Sequence, residues 1–366
     1  MFSVDNGERQ LFLRQNQLVR YGSWQYPSST QAIWLSDGSW LAGEISYESN
    51  AVVVTSDWFE PVRVPLNGIR GIVNNPPASI DSWVQRLRWF DGRTGGNDHV
   101  VLLDGKQLEG LLSWDTEKNQ IAIQAAGREL AFNLDEFDAL AFSPALFARS
   151  PTTGAHLLGL EDGTLLRLAS EKVDWSEDQL SFQTQSGILL KTLDKPSDFA
   201  AEAIKYIVQQ PKGSMRLDEQ EIVSYRHLSS NRLKWQLGVK ADALGRPLIK
   251  QSSIVHHGVA MHSESLVSYR WGGDAGVFCA ELRFAPVQNG GLRDLGNVVC
   301  QILVVRDGKL QTSFERELSR KESKGVAVQA DVSGAQLIVL TTKQGKSQHF
   351  GDHILWLDPR VDAVTK

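Results

Sequence analysis

The chain has 366 residues, which at ~150 per domain is material for two or three domains and more than one sizeable core. Hydrophobic residues at 42% and charged residues at 22% exclude a disordered, collagenous or low-complexity chain, and no apolar run approaches the ~20 residues that cross a bilayer. The net charge of −5 is uneven: residues 1–213 hold 18 Lys and Arg against 27 Asp and Glu, and residues 214–366 hold 20 against 16. With no basic run in either half, neither nucleic acid nor an anionic membrane surface is expected as a partner.

Three segments share one signature: an apolar run, an Asp-Gly break, and a resumed alternation. They are Leu35–Gly43, Leu103–Gly110 and Leu160–Leu166, with the breaks at Asp37-Gly38, Asp104-Gly105 and Asp162-Gly163. Asp-Gly between alternating runs predicts a hairpin, with a type I′ turn that places both central residues at positive φ. A strand follows in the first two units (Ala51 to Thr55; Gln120 to Gln124). A run whose apolar step changes from two to three then closes each: Val62, Val64, Leu66, Ile69, Ile72 and Leu130, Phe132, Leu134, Phe137, Leu140. That change is expected where a half-buried strand enters a tight helical turn, and four or five such strands describe a small barrel of the SH3 or Sm kind.

In chain order, residues 1–25 read as the tail of a truncated repeat, because Leu11, Leu13, Gln15, Leu18 and Tyr21 keep the same intervals after Gly7-Glu8-Arg9. The first nine residues carry no signal-peptide core, so a signal sequence is expected upstream of the chain as given, with the protein exported. Residues 26–77 form small-barrel repeat 1. Residues 78–97 form a connecting helix and linker, with Ser79 as N-cap and Ile80, Val84 and Leu87 on one face. Residues 98–149 form repeat 2, and residues 150–213 a degenerate repeat 3 containing a second helical candidate, Ser197 to Val208. The stretch Gln210-Pro211-Lys212-Gly213-Ser214 is the domain boundary. Beyond it, residues 214–366 read as a β-sandwich, with strands at Val277 to Phe284, Val298 to Val305, Val326 to Val332 and Gln336 to Thr342 and a tight turn at Asp307-Gly308.

Two cysteines, Cys279 and Cys300, leave no disulfide framework and no thiolate zinc site; buried free thiols or one cross-strand bridge both fit. No G-x-S-x-G, H-E-x-x-H or Walker glycine loop is present, and pairs such as Asp135 and Glu136 sit in turns, so the chain is not expected to be an enzyme. Five of the eight histidines, His256, His257, His262, His349 and His353, gather in two stretches. Strand alternation sets His257 with Val255, Val259 and Met261, and His256 with His262 on the other face. Polar sandwich edge, ligand contact and metal site remain the three readings. Most of the eleven tryptophans, Trp34 and Trp114 among them, fall among strand residues and are expected in core.

The stretch His257-Gly258-Val259-Ala260-Met261-His262-Ser263-Glu264-Ser265 with Tyr269 resembles a strand of the NPCBM family of carbohydrate-binding modules. Val328 to Val339 resembles that family's Val-Asp-Val-Ser-Gly strand pair, and Asp352-His353-Ile354-Leu355-Trp356-Leu357-Asp358-Pro359-Arg360-Val361 its closing segment. Leu355 stands where the motif has Asp, Pro359 where it has Ala, and Ala260 where it has Gly. The resemblance covers residues 215–362 and implies a galactose-binding-like jelly-roll sandwich, secreted, binding a glycan or a glycosylated partner; Asp-Gly repeats ahead of it also resemble planctomycete-type NPCBM proteins. It implies a ligand site at His262, Glu264, Tyr269, Asp352, His353 and Trp356, and leaves calcium open. A structural or protein-interaction role in the cell envelope is the alternative. The sequence leaves the oligomeric state open.

Overall fold

The computed structural model describes residues 2–364 other than 6–9, 14–19, 28, 92–94, 116–119, 126, 147–155, 176–179, 194–198, 200–201, 210–212, 229–233, 251–252, 274, 287–295, 321–324 and 347–351. The chain is mainly β and divides into two compact units, Met1–Gln210 and Pro211–Lys366.

Three consecutive segments of the front unit build one ladder pattern. In each, the first strand pairs antiparallel with both the second and the last: Ala32–Leu35 with Trp40–Ala42 and Ile69–Val73, Asp98–Leu102 with Gln107–Asp115 and Phe137–Ala141, His156–Leu160 with Leu165–Trp175 and Ile204–Val208. The middle strands form meanders, such as Glu44–Glu48, Ala51–Thr55 and Val62–Pro65, or Gln107–Asp115, Gln120–Ala125 and Arg128–Asn133. The two-to-three step has its expected cause in the first segment, where Val62–Pro65 runs into a 3-10 turn, Leu66–Gly68, before Ile69–Val73. The third segment keeps the ladder although its sequence signature fades, because Leu180, Phe182 and Leu190 still supply its interior. Ile33, Ile72, Val100, Ile123, Leu140, Leu158, Leu166 and Phe182 belong to one continuous core that runs through all three segments.

Two expectations need correction here. The helix expected over Ser197 to Val208 holds only in its first half, where Phe199 and Glu202 are helical, and gives way to a strand at Ile204–Val208, because Tyr206 and Val208 are buried β-formers and the strand is paired on both edges, with His156–Leu160 and with Arg20–Gly22. The second pairing ties the opening residues to the third segment; Gln15 and Leu18 lie outside the described residues. The connecting helix is present as Ile80–Asp91, with the Ser79 hydroxyl accepting the Ser82 amide at 3.2 Å. Its buried side, however, is Trp83, Val84 and Phe90, since Trp83 stacks on Tyr26 (4.8 Å, 17°) and Phe90 meets Trp34 edge-on at 5.4 Å.

The three Asp-Gly turns are alike, and they are not type I′. Only the glycines take positive φ (Gly38 +88°, Gly105 +83°, Gly163 +94°). The Gly amide bonds to the carbonyl three residues back, Leu35, Leu102 or Leu160, and that residue's amide bonds to the carbonyl just after the glycine. This is a type I turn completed by a left-handed residue, the longer hairpin loop. Each Asp carboxylate accepts the amide two residues on (Ser39 2.8, Lys106 2.9, Thr164 2.8 Å), which is why Asp stands there. Asp307-Gly308, with φ of +50° and +70°, has the positive φ at both positions that type I′ requires.

The back unit is a sandwich of two antiparallel sheets. One has the strand order Gly238–Val239, Gly258–His262, His353–Ala363, Gly276–Phe284, Val326–Asp331, with Ser214–Arg216 also on His353–Ala363. The other runs Ile222–His227, Ser265–Arg270, Leu337–Gln344, Asn297–Arg306, Lys309–Ser319. Val259, Met261, Phe278, Ile354 and Trp356 pack with Val267, Tyr269, Cys300, Ile302, Ile338 and Leu340 between them. On the outer side of the first sheet, Ala260, Leu355 and Leu357 are covered by Leu248 and Val255. Both cysteines are free thiols.

The turn geometry predicts unequal costs at two equivalent glycines. A Cβ at Gly105 meets nothing within 4 Å, whereas one at Gly163 falls 2.4 Å from the Pro27 nitrogen and 2.6 Å from its Cα. In urea melts Gly105→Ala is expected to cost ~1–2 kcal/mol from the left-handed φ alone. Gly163→Ala should cost clearly more; equal costs contradict this packing.

Candidate functional site

Antiparallel register sets His262, the last residue of Gly258–His262, opposite His353, the first of His353–Ala363. Because Val259, Met261, Ile354 and Trp356 point into the sandwich, alternation sends His262 and His353 to the outer side, with Ala260 and Leu355. Their rings lie 4.7 Å apart and nearly perpendicular. Trp235 completes the group, stacked flat on His262 (5.0 Å, 6°) and edge-on to His353 (4.5 Å, 90°), while His227 meets His262 at 5.7 Å. Ser265, opposite His227 in the neighbouring ladder, bonds the His227 Nδ1 at 3.0 Å. The Tyr225 hydroxyl donates to the Trp235 carbonyl at 2.9 Å and fixes the segment that carries the indole. His262 is buried, and Trp235, His353 and His227 are half-buried.

Of the six residues singled out in the sequence, the structure brings His262 and His353 into this cluster. Asp352 and Glu264 border it and serve as ties. The buried Asp352 carboxylate accepts the Asn297 amide at 3.2 Å and its carbonyl the Ser263 amide at 3.1 Å. Glu264, at φ +61°, accepts the Gln344 amide at 2.8 Å through its carboxylate and the Leu228 amide at 2.7 Å through its carbonyl. Tyr269 and Trp356 are 0% exposed in the sandwich core, where alternation on strands with one inward face puts them. They do not reach the surface where a ligand would meet them. Sequence reasoning missed Trp235 and His227; the available signal was a tryptophan outside any periodic run, on a segment following a strand that ends in Tyr225-Arg226-His227.

Burial is the main reason the His353 ring is pushed down to about 4, with a further push from His262 and, more weakly, from Arg320 and Arg246, against the pull of Asp242. At neutral pH it is therefore an uncharged imidazole that can donate from one nitrogen and accept at the other, the pairing a hydroxyl needs. Among the described residues no group of three or more His, Cys, Asp or Glu is arranged to hold a metal ion; His349 lies outside them.

The segment that carries this geometry has a family. Residues 217–362 match the NPCBM/NEW2 domain. No curated protein matches the chain. Among solved structures, it is similar to CBM51 from Clostridium perfringens GH95 in complex with methyl-galactose (16% identity, 40% of this chain and 99% of that one, TM-score 0.33). It is also similar to CBM51-2 in complex with GlcNAc and INT domains from Clostridium perfringens ZmpB (15%, 52% and 39%, TM-score 0.33), of which it spans less than half. A third is the CBM22-1 xylan-binding domain from Paenibacillus barcinonensis Xyn10C (9%, 42% and 94%, TM-score 0.26).

At the other end of the strand Gly258–His262, the NPCBM/NEW2 segment buries a polar knot. The strand alternation expected through His256 and His257 breaks at a bend, and His257 turns to Asp218, its Nδ1 3.0 Å from the carboxylate that also accepts the Gly258 amide at 3.2 Å. Arg216, 1% exposed, pairs with Asp358 at 3.2 Å, and Lys240 with Glu219 at 3.4 Å. Burial raises Asp218 to about 6, against Lys240 and Arg216, and holds His257 well below its ordinary value. At pH 7 the pair is a carboxylate accepting from a neutral imidazole.

The histidines predict acid sensitivity. The folded His353 pKa lies below the unfolded value of ~6.5, so the unfolded chain takes up the proton first. Its contribution is intact above pH 6.5, shrinks as pH falls, and levels off below about 4; His257 acts in the same sense, and Asp218 in the opposite one between about 4 and 6. Stability measured by urea melts at pH 7 and pH 5 is expected to fall in the wild type, and His353→Gln should recover part of that fall, up to about 2 kcal/mol. An unchanged pH slope in the variant contradicts the assignment.

Proposed function

We propose that this protein binds carbohydrate without transforming it, through the outer-side cluster of Trp235, His262 and His353 in the NPCBM/NEW2 segment. The observation that carries the reading is the half-exposed indole of Trp235 held beside a neutral imidazole, within the segment that matches this family. An aromatic face suits the C–H face of a pyranose, and imidazoles that donate and accept suit its hydroxyls. Asp352 and Glu264 support the site by fixing the segments around it. In this reading the three like-laddered segments are small-barrel repeats of the SH3 or Sm kind that present the module, and the protein works outside the cytoplasm on a glycan or glycoprotein. No helix among the described residues is long and apolar enough to cross a membrane.

A second reading, a cell-envelope structural or interaction component without sugar binding, is favoured by one observation. Four of the six motif residues, Glu264, Tyr269, Asp352 and Trp356, are engaged in holding the fold together. Glycan-array binding by the full chain separates the two. The wild type is expected to retain galactose- or N-acetylglucosamine-containing glycans, with Trp235→Ala weakening retention about tenfold, as loss of one aromatic contact implies, at a near-unchanged melting temperature. Wild-type protein that binds no glycan leaves the structural reading.

A further inference from the structure

The front unit holds a cleft of about 430 Å³ that the reading above does not use. One wall is the helix Ile80–Asp91, which presents Ser82, Gln85, Arg86 and Trp89 at the i, i+3, i+4, i+7 spacing of a single face, beside the buried face of Trp83 and Phe90. The facing side is the hairpin of the second segment, with Val101 and the exposed Gln107, and Asp138 from Phe137–Ala141. Asp138 is anchored where it stands: its side chain pairs with Arg86, and its carbonyl accepts the amides of Asn74 (2.9 Å) and Asn75 (3.2 Å).

We infer that this cleft is a second saccharide site, taking a neutral sugar with the Trp89 ring as its apolar contact and Arg86, Asp138, Gln85 and Gln107 as its polar ones. Three features select that ligand class. Arg86 and Asp138 cancel each other's charge, and the other polar lining residues are uncharged, so nothing favours an anion or a cation. The front half carries 27 acidic against 18 basic residues through residue 213, which repels anionic ligands further. A half-buried indole beside planar amide, guanidinium and carboxylate groups matches alternating C–H faces and hydroxyls. A peptide fits less well. Asp98–Leu102 and Phe137–Ala141, which line the cleft, are each paired on both sides, so neither offers an open edge to peptide backbone.

The site is independent of the one in the back unit, and the test keeps them apart. Full-length Trp235→Ala protein, crippled in the back site, is applied to an array of neutral and acidic glycans. It is expected to retain neutral glycans, and adding Trp89→Ala, or the exposed pair Gln85→Ala and Gln107→Ala, should weaken that residual binding about tenfold, the effect of one or two lost contacts. The Gln pair guards against a folding defect, because neither side chain packs in the core. Residual binding unaffected by both sets of changes, no glycan binding by Trp235→Ala protein, binding confined to acidic glycans, or binding of a labelled proline-rich peptide in place of glycans overturns the inference.

Discussion

The antiparallel pairing of Gly258–His262 with His353–Ala363 is the contact on which the back unit depends. It joins two stretches some ninety residues apart, and its register decides everything around it: Val259 faces Trp356, Met261 faces Ile354, and His262 faces His353. A slip of one residue in His353–Ala363 would turn Trp356 out of the core and His353 inward, exchanging a buried aromatic for an imidazole. With several buried apolar side chains committed to the inward face, the correct register is strongly favoured. The histidine pair is thus a by-product of core packing, and Trp235 needs only to settle on it.

Buried polar groups hold both ends of that pairing. At the His262 end, Asp352 extends the ladder by accepting the Ser263 amide and binds the Asn297 amide through its carboxylate. At the other end, Asp218, His257, Arg216 and Asp358 hold the 3-10 turn Leu217–Glu219 against the strand starts. Removing one partner from such a knot strands the other in a low-dielectric interior, which costs more than the pair contributes, so Asp352, His257 and Asp358 stand in their stretches with a folding role of their own. Being in a motif is therefore no guide by itself to touching a ligand.

This explains what could and could not be read in the sequence. The ladders were legible where side-chain periodicity is local: Val62, Val64, Leu66, Ile69 and Ile72 announce a strand, a turn and a strand. Asp-Gly announced the hairpins but not their turn type, because the choice rests on the φ of Asp37, Asp104 and Asp162, and their carboxylates stabilise the type I form locally. Ile204–Val208 reads locally as helix, since its strand state comes from two partners far away in sequence. The motif resemblance points to His262 and His353, which the fold sets side by side. The same resemblance implies ligand contact for Tyr269 and Trp356, whose strands have one inward face on which both lie, and it does not reach Trp235, because a loop residue carries no period.

The central claim, that register-matched His262 and His353 with Trp235 form the sugar-binding surface, is tested most directly by NMR on the full chain labelled at its histidine rings and tryptophan indoles. During titration with a glycan the array identifies, the signals of His262, His353 and Trp235 are expected to shift together along one binding curve, while the buried Trp356 indole stays in place. A glycan that binds while those three signals remain unmoved contradicts the account.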